Sequence, residues 1–328
     1  MRRVGNLIQQ IADTDNLLLA FHKAMRGKRR YGEVLRFQNR LEDNVAALAE
    51  EILDGKVVVG KYKFFFIEDP KLRLVCAASF RERVLHHALM NVCHPFFERN
   101  LIETTYATRP GKGIYKAIDR ARLAMRRHSY VAKFDFRKYF DSIPHDILNG
   151  KLKRLFKDKV LLQVFSQIID SYSASKGKGI PIGNLTSQYF ANYYLSDMDH
   201  WIKETLRAPE YVRYMDDFLV FADSHADMEL YVAQIQLFAE RRLRLALKPI
   251  VKGLSLAGID FLGYRIYADK IKLTRRSKRR FVKKSRTYGT LLEHGEWTER
   301  DYYEHITPLL SYAMKGYSKG LRRAVFTA

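Results

Sequence analysis

Two short stretches put carboxylates where β-forming sequence leaves little room for them. Residues 131–136 read Val-Ala-Lys-Phe-Asp-Phe, and residues 211–221 read Tyr-Val-Arg-Tyr-Met-Asp-Asp-Phe-Leu-Val-Phe. A lone carboxylate such as Asp135 in an apolar strand is expensive unless it is paired or metal-bound. Adjacent residues on a flat strand point to opposite faces. Asp216 and Asp217 can therefore act together only in a tight hairpin turn, and the flanking β-formers predict that hairpin. Three carboxylates brought together repel one another, which makes sense around divalent cations, and hard oxygen ligands favour Mg²⁺. Two such ions about 4 Å apart can bind both the attacking and the leaving oxygen of an in-line phosphoryl transfer.

The charge balance points the same way. The 328 residues carry 58 Lys and Arg against 36 Asp and Glu, a net charge of +22. An enzyme for small anions has no need of such an excess, whose self-repulsion costs stability. A polyanionic partner explains it, and a membrane surface does not, because no basic amphipathic helix dominates and the acids would be left without a purpose. Hydrophobic residues at 47% exclude a disordered basic tail. The length suggests one large domain or two to three smaller units. Cys76 and Cys93 cannot form a disulfide framework and fit a reducing cytoplasm. His86, His87 and His94 lie near Cys93 but match no zinc-ligand spacing, and read instead as part of a buried helix. No stretch approaches the roughly 20 apolar residues of a membrane span, so a soluble, intracellular protein is expected.

Along the chain, residues 1–55 read as helices around a basic turn, Arg26–Arg30. Strands are expected within 56–75, beginning at Val57-Val58-Val59 and broken at Asp69-Pro70, then at 129–136, on both sides of 215–217, and within 254–273. Helical periodicity covers 80–100, 113–127, 145–170, 184–205, 226–243 and the tail from 274. This mixture without regular βαβ alternation argues for α+β. From Lys272 the chain turns strongly basic, with Arg275, Arg276, Lys278, Arg279, Arg280, Lys283 and Lys284 nearly free of acids. Phe281, Tyr288 and Trp297 are interleaved, which suits a surface that tracks a phosphate backbone while stacking bases or sugars.

Tyr214-Met215-Asp216-Asp217 resembles the catalytic hairpin of reverse transcriptases. The resemblance extends through Arg73 and 80–95, Tyr106–Gly113, Phe134-Asp135-Phe136 with Phe140-Asp141-Ser142-Ile143, Gly179–Gln188, and Gly258–Tyr264, in the family's order over most of 20–270. It implies a right-hand polymerase: an N-terminal helical extension of the fingers (1–55), fingers (56–130), palm (131–270, with 145–190 partly returning to the fingers) and a short basic helical thumb (271–328). It implies that Asp135, Asp216 and Asp217 are catalytic and, with the Phe136 carbonyl, hold two Mg²⁺ ions. Arg73 would contact the incoming dNTP, with Lys63 and Lys71 competing for an assisting role. Phe261, Leu262, Gly263 and Tyr264 would grip the primer. Lys248 and Lys252 both compete for the place beside the leaving pyrophosphate, and the basic tail would hold template RNA and the cDNA or primer strand.

Phe140, five residues after Asp135, occupies the family's position under the sugar, where a phenyl ring leaves no room for a 2′-hydroxyl. The loop Gly179–Gln188 departs from the commonest pattern. Ile182 stands where many relatives have Gln, and Gln188 where they have Pro; Gly183 is kept. This variant resembles the reverse transcriptases of diversity-generating retroelements. These copy a template RNA with errors at adenines, and so diversify a target gene. A Gln amide beside the nascent pair can hydrogen-bond and Ile cannot, a loss of about 1–3 kcal/mol of discrimination. The roughly 50 residues after the palm leave no space for a maturase, endonuclease, RNase H or integrase segment. Retron and group II intron enzymes, or a defence-associated protein on the polymerase fold, are the alternatives. The resemblance further implies a small, basic, oligomeric accessory protein, with 1–55 as its docking surface, and a cytoplasmic setting in a bacterium or phage-bearing cell.

Overall fold

The computed structural model describes residues 3–68 and 72–326. The chain divides into two compact units. One comprises the described residues of 1–102 with 136–200 and 237–246, and the other 103–135, 201–236 and the described residues from 247 onward.

The first unit is mainly helical. Its central element is the helix Phe80–Glu98, started by Ser79, whose side chain accepts from the Glu82 N–H. Val84, Leu85, Leu89, Cys93 and Phe97 are among its buried residues. The Phe97 ring meets Phe156 at 5.6 Å and Tyr193 at 5.5 Å, in edge-on geometry. The expected helix at 145–170 is two helices, His145–Leu155 and Lys159–Asp170. Asp158 causes the break, because its carboxylate accepts from Leu161 N at 3.2 Å and from Leu7 N at 2.9 Å. The only strands described in this unit are β1 (Lys63–Glu68) and β2 (Leu72–Ala77), an antiparallel ribbon registered from Lys63↔Ala77 to Glu68↔Leu72. Val57-Val58-Val59 is not a strand. Its backbone donors are taken by side chains, Val57 N by Gln167 Oε1 at 3.1 Å and Val58 N by Glu51 Oε2 at 3.3 Å. Lys71 and Asp69-Pro70 lie outside the described residues.

The second unit is built on an antiparallel sheet of β3 (Tyr130–Asp135), β4 (Glu210–Tyr214), β5 (Asp217–Ala222) and β6 (Val251–Leu254), in the order β4-β5-β3-β6. A three-stranded sheet of β7 (Ile259–Phe261), β8 (Tyr264–Ile266) and β9 (Ile271–Leu273) follows, and helices 275–293, 299–315 and 319–326 close the chain. One core joins these parts. Val131, Val212 and Leu219 from the large sheet pack with Ile118 and Ala121 of helix 114–127, with Phe261 and Tyr264, and with Phe281 and Ala313. The opposite side of the large sheet is apolar too, and there Phe134 and Phe218 stack at 4.8 Å with rings 2° from parallel. Carboxylates in such a sheet can sit only at its ends. Among the described residues, no helix is long and apolar enough to cross a membrane.

Candidate active site

The hairpin forms as the alternation required. Tyr214 pairs with Asp217, so Met215 and Asp216 make a two-residue turn. Met215 takes φ 57°, and this left-handed conformation lets the turn follow the twist of its strands. Arg213 secures the turn from beneath. It is wholly buried, and its Nη1 donates to the Met215 carbonyl at 2.9 Å. Its backbone is held by Thr104 and Tyr106, the Arg213 N–H donating to Thr104 O at 3.0 Å and its carbonyl accepting from Tyr106 N at 2.9 Å.

β3 brings Asp135 directly opposite Asp217. Such cross-strand partners hold their Cβ atoms about 5 Å apart. Asp216 sits one residue before Asp217, in the turn, so the three acids collect at one end of the sheet. Each strand carboxylate has a lysine. Lys248 Nζ lies 2.5 Å from Asp135 Oδ2, and the Lys248 N–H donates to the Asp135 carbonyl at 2.8 Å. Lys133 Nζ lies 3.2 Å from Asp217 Oδ2. Burial raises the Asp217 carboxyl to about 7; Lys133 opposes that shift, while Asp135 and Asp216 add to it.

The donor set fits a hard divalent cation. The Oδ1 atoms of Asp135 and Asp217 are buried and accept no hydrogen bond. A buried carboxylate oxygen left in that condition is costly and calls for a cation. Among the described residues, no three His, Cys, Asp or Glu side chains are already gathered closely enough to hold a metal ion. Each strand carboxylate is instead paired with an ammonium group, Asp135 with Lys248 and Asp217 with Lys133. Phe136, the fourth expected ligand, follows Asp135 in the chain with its ring buried.

A cavity of about 430 Å³ adjoins Asp135, lined also by Lys133, Lys248, Lys252, Asp260 and Arg265. Of the two competing lysines, Lys248 contacts Asp135, whereas Lys252 is engaged by Glu229. Phe261 and Tyr264 are fully buried in the core, and the turn between them is sealed, with Ser277 Oγ donating to Gly263 O at 2.7 Å and Tyr312 Oη to Leu262 O at 3.3 Å. Asp260 and Arg265, on the opposite face of those strands, reach the cavity instead. The basic helix also corrects the expectation of stacking aromatics. Arg275, Arg276, Lys278, Arg279, Arg280 and Lys283 are exposed and Lys284 half-buried, but Phe281 points into the core. Tyr288 packs on Trp297 at 5.1 Å, and Trp297 on His305 at 4.4 Å, joining helices rather than standing free.

In the first unit the loop Gly179–Gln188 is fastened at several points, two of which bear on residues 180 and 182. Ile180 N donates to Phe140 O at 2.9 Å, and Cys76 N to Ile182 O at 2.7 Å. Gly183 has φ +120°, and a Cβ there would lie 2.6 Å from Cys76 O, so only glycine fits. Phe140 is half-buried beside the buried Tyr139, whose hydroxyl donates to Ala191 O at 2.6 Å. Arg73 and Lys63 stand exposed on the ribbon, and Gln188 is exposed on helix 185–194.

Comparison with known proteins accords with this geometry. Residues 67–266 match the family described as reverse transcriptase (RNA-dependent DNA polymerase), and the chain belongs to that family. A putative COX1/OXI3 intron 1 protein of Saccharomyces cerevisiae is 24% identical over 61% of this chain and 25% of its own length. Protein YkfC of Escherichia coli is 23% identical over 51% of this chain and 47% of its own. The chain thus spans half or less of the length of these curated relatives. Among solved structures, apo telomerase from Candida tropicalis matches with a TM-score of 0.50 at 13% identity, over 65% of this chain and 48% of that one, and shares the polymerase fold.

Proposed function

We propose that this protein is an error-prone RNA-directed DNA polymerase that copies a template RNA into cDNA with changes directed at adenines. The observation that carries the polymerase reading is the sheet end where Asp135 and Asp217 face each other, each with one buried, unsatisfied oxygen, beside Asp216 in the turn. Asp135, Asp216 and Asp217, with the Phe136 carbonyl, would hold divalent ions, Mg²⁺ by ligand chemistry. When bound, these ions supply charge stabilisation for the attacking 3′-oxygen and the leaving pyrophosphate. The chain's own residues then do the positioning. Arg213 fixes the turn that carries Asp216, and Lys248 places an ammonium proton beside Asp135, where a leaving pyrophosphate can take it. Arg73 and Lys63 meet the triphosphate, Phe140 excludes a 2′-hydroxyl, and the basic helix from Arg275 holds the template–primer duplex. In subdomain terms, 1–130 supplies the fingers and their extension, 131–270 the palm and 271–328 the thumb.

Ile182 supports the mutagenic reading, because an aliphatic side chain there offers the nascent pair no hydrogen bond while its carbonyl keeps the loop fastened to Cys76. A small basic accessory protein would complete the assembly, docking on the helices of 1–55. The second reading, an intron-encoded reverse transcriptase, is favoured by the curated relative named as an intron protein. Primer extension on an adenine-rich RNA separates the possibilities. Mg²⁺-dependent synthesis abolished by Asp216→Ala upholds the polymerase. Misincorporation opposite adenine that falls in Ile182→Gln upholds the mutagenic role, and faithful copying by the wild type favours the intron-type enzyme. Phe140→Ala is expected to gain ribonucleotide incorporation, and unchanged sugar discrimination would remove its assigned role.

A further inference from the structure

The first unit holds a second cavity, of about 230 Å³, bordered by Lys28, Cys76, Arg83, His86, His87 and Asn184. Its walls carry buried polar atoms with no partner. Arg83 Nε donates to nothing, neither ring nitrogen of His86 is hydrogen-bonded, and Asn184 Oδ1 accepts nothing. His86 is 1% exposed and Asn184 2%. Unsatisfied groups of this kind are uncommon, and several around one cavity point to a missing ligand. Burial keeps the His86 imidazole neutral, so it offers one N–H. Arg83 Nε and the His86 N–H therefore call for an acceptor, which the charges identify as an anion, whereas Asn184 Oδ1 and the likewise unpartnered Glu82 Oε1 are acceptors that this ligand does not serve. Lys28 makes no ion pair among the described residues, and the His87 ring lies in the positive field of Lys23, Arg83 and Arg26. Glu33 offsets part of that field by pairing with Arg83 through Nη2, which leaves Nε available. Glu82 Oε1, 3.6 Å from His86 Nε2, is the other nearby acid.

We propose that this cavity is a phosphate-binding site, taking either a phosphodiester of a nucleic-acid strand or a free phosphate ion between Lys28, Arg83 and His86. The site is distinct from the carboxylate cluster and does not depend on the polymerase reading. It adjoins Gly183, and so the far side of the loop that carries Ile182.

Both thiols are buried, but Cys76 borders the cavity and Cys93 does not, so alkylation of Cys76 through local opening reports on the cavity, with Cys93 as the internal control. The full chain would be alkylated with iodoacetamide at constant ionic strength in chloride, in orthophosphate, or with a ten-nucleotide RNA, and modification followed at Cys76 by peptide mass spectrometry. At a ligand concentration about ten times its Kd, alkylation should slow roughly tenfold relative to chloride. The exposed variant Lys28→Glu should lose that protection. Protection by orthophosphate and RNA alike assigns recognition to the phosphate group itself. Protection by RNA alone assigns it to a strand phosphodiester. No protection by either, or equal protection in Lys28→Glu, overturns the proposal.

Discussion

The chain contains two antiparallel ribbons of similar aromatic content and opposite circumstances. β4–β5 lies in a four-stranded sheet, and nearly every residue along it is buried. Among the described residues β1–β2 has no further strand beside it, and every residue of β1 is exposed, Phe66 at 67%. The first must hold carboxylates against their mutual repulsion, so its geometry is fixed from both faces and from below by Arg213. The second is fastened at its base, where Cys76 meets Ile182, and its described strand residues farther out are mostly exposed. Burial here is greatest where charge is concentrated.

The sharpest way to break this comparison is to remove the charge itself. Asp216→Asn should lower primer extension by about 10³-fold or more, a barrier increase of at least about 4 kcal/mol. Its denaturant midpoint should not fall, because repulsion at the turn is relieved. A destabilised variant would mean that the turn depends on that carboxylate structurally. Next, Arg213→Ala should cost about 3–5 kcal/mol in urea unfolding, through lost volume and an unsatisfied Met215 carbonyl. Gly183→Ala should cost about 1–3 kcal/mol, since it combines a left-handed φ with a backbone clash. It should raise the KM for dNTP more than it lowers kcat if Arg73 is aligned through β2.

Acid sensitivity tests the interior of the first unit. Burial lowers the His86 pKa from 6.5 to about 3. Between those values the unfolded chain binds a proton that the folded chain refuses, so stability is lost as pH falls below about 6.5. At pH 5 this amounts to about 2 kcal/mol. His86→Leu should reduce, but not remove, the decline of the urea midpoint between pH 6.5 and 5, because burial and Lys23 also lower His87, to about 4; an unchanged slope would mean that His86 does not contribute. At the small end, Phe66→Ser should change stability by less than about 0.5 kcal/mol. A larger loss would show that the ribbon is not as independent as its exposure indicates.

Much of this was legible in the sequence because it followed from alternation. The hairpin at Met215-Asp216, the Asp135 strand and the helix at 80–98 are local patterns, and the chain carries them openly. The same rule could have found Lys133, two residues before Asp135 and therefore on its face of β3. It also separates Asp260 and Arg265 from the buried Phe261 and Tyr264. What stayed hidden depends on distant partners. Val57–Val59 has strand composition, but Gln167 and Glu51 take its donors. Phe281, Tyr288 and Trp297 resemble stacking platforms until the helices that cover them are in place. Arg213 gave no signal, because burial of an arginine depends on strands far along the chain.

One contact bears on how this protein can change over generations. Ile182 meets β2 through its carbonyl, an atom that every amino acid carries. That contact asks nothing of the side chain at 182, whereas the neighbouring Gly183 has no such freedom. A lineage can thus revise residue 182 without losing the carbonyl contact that holds the loop to β2, whereas the position beside it stays closed to change.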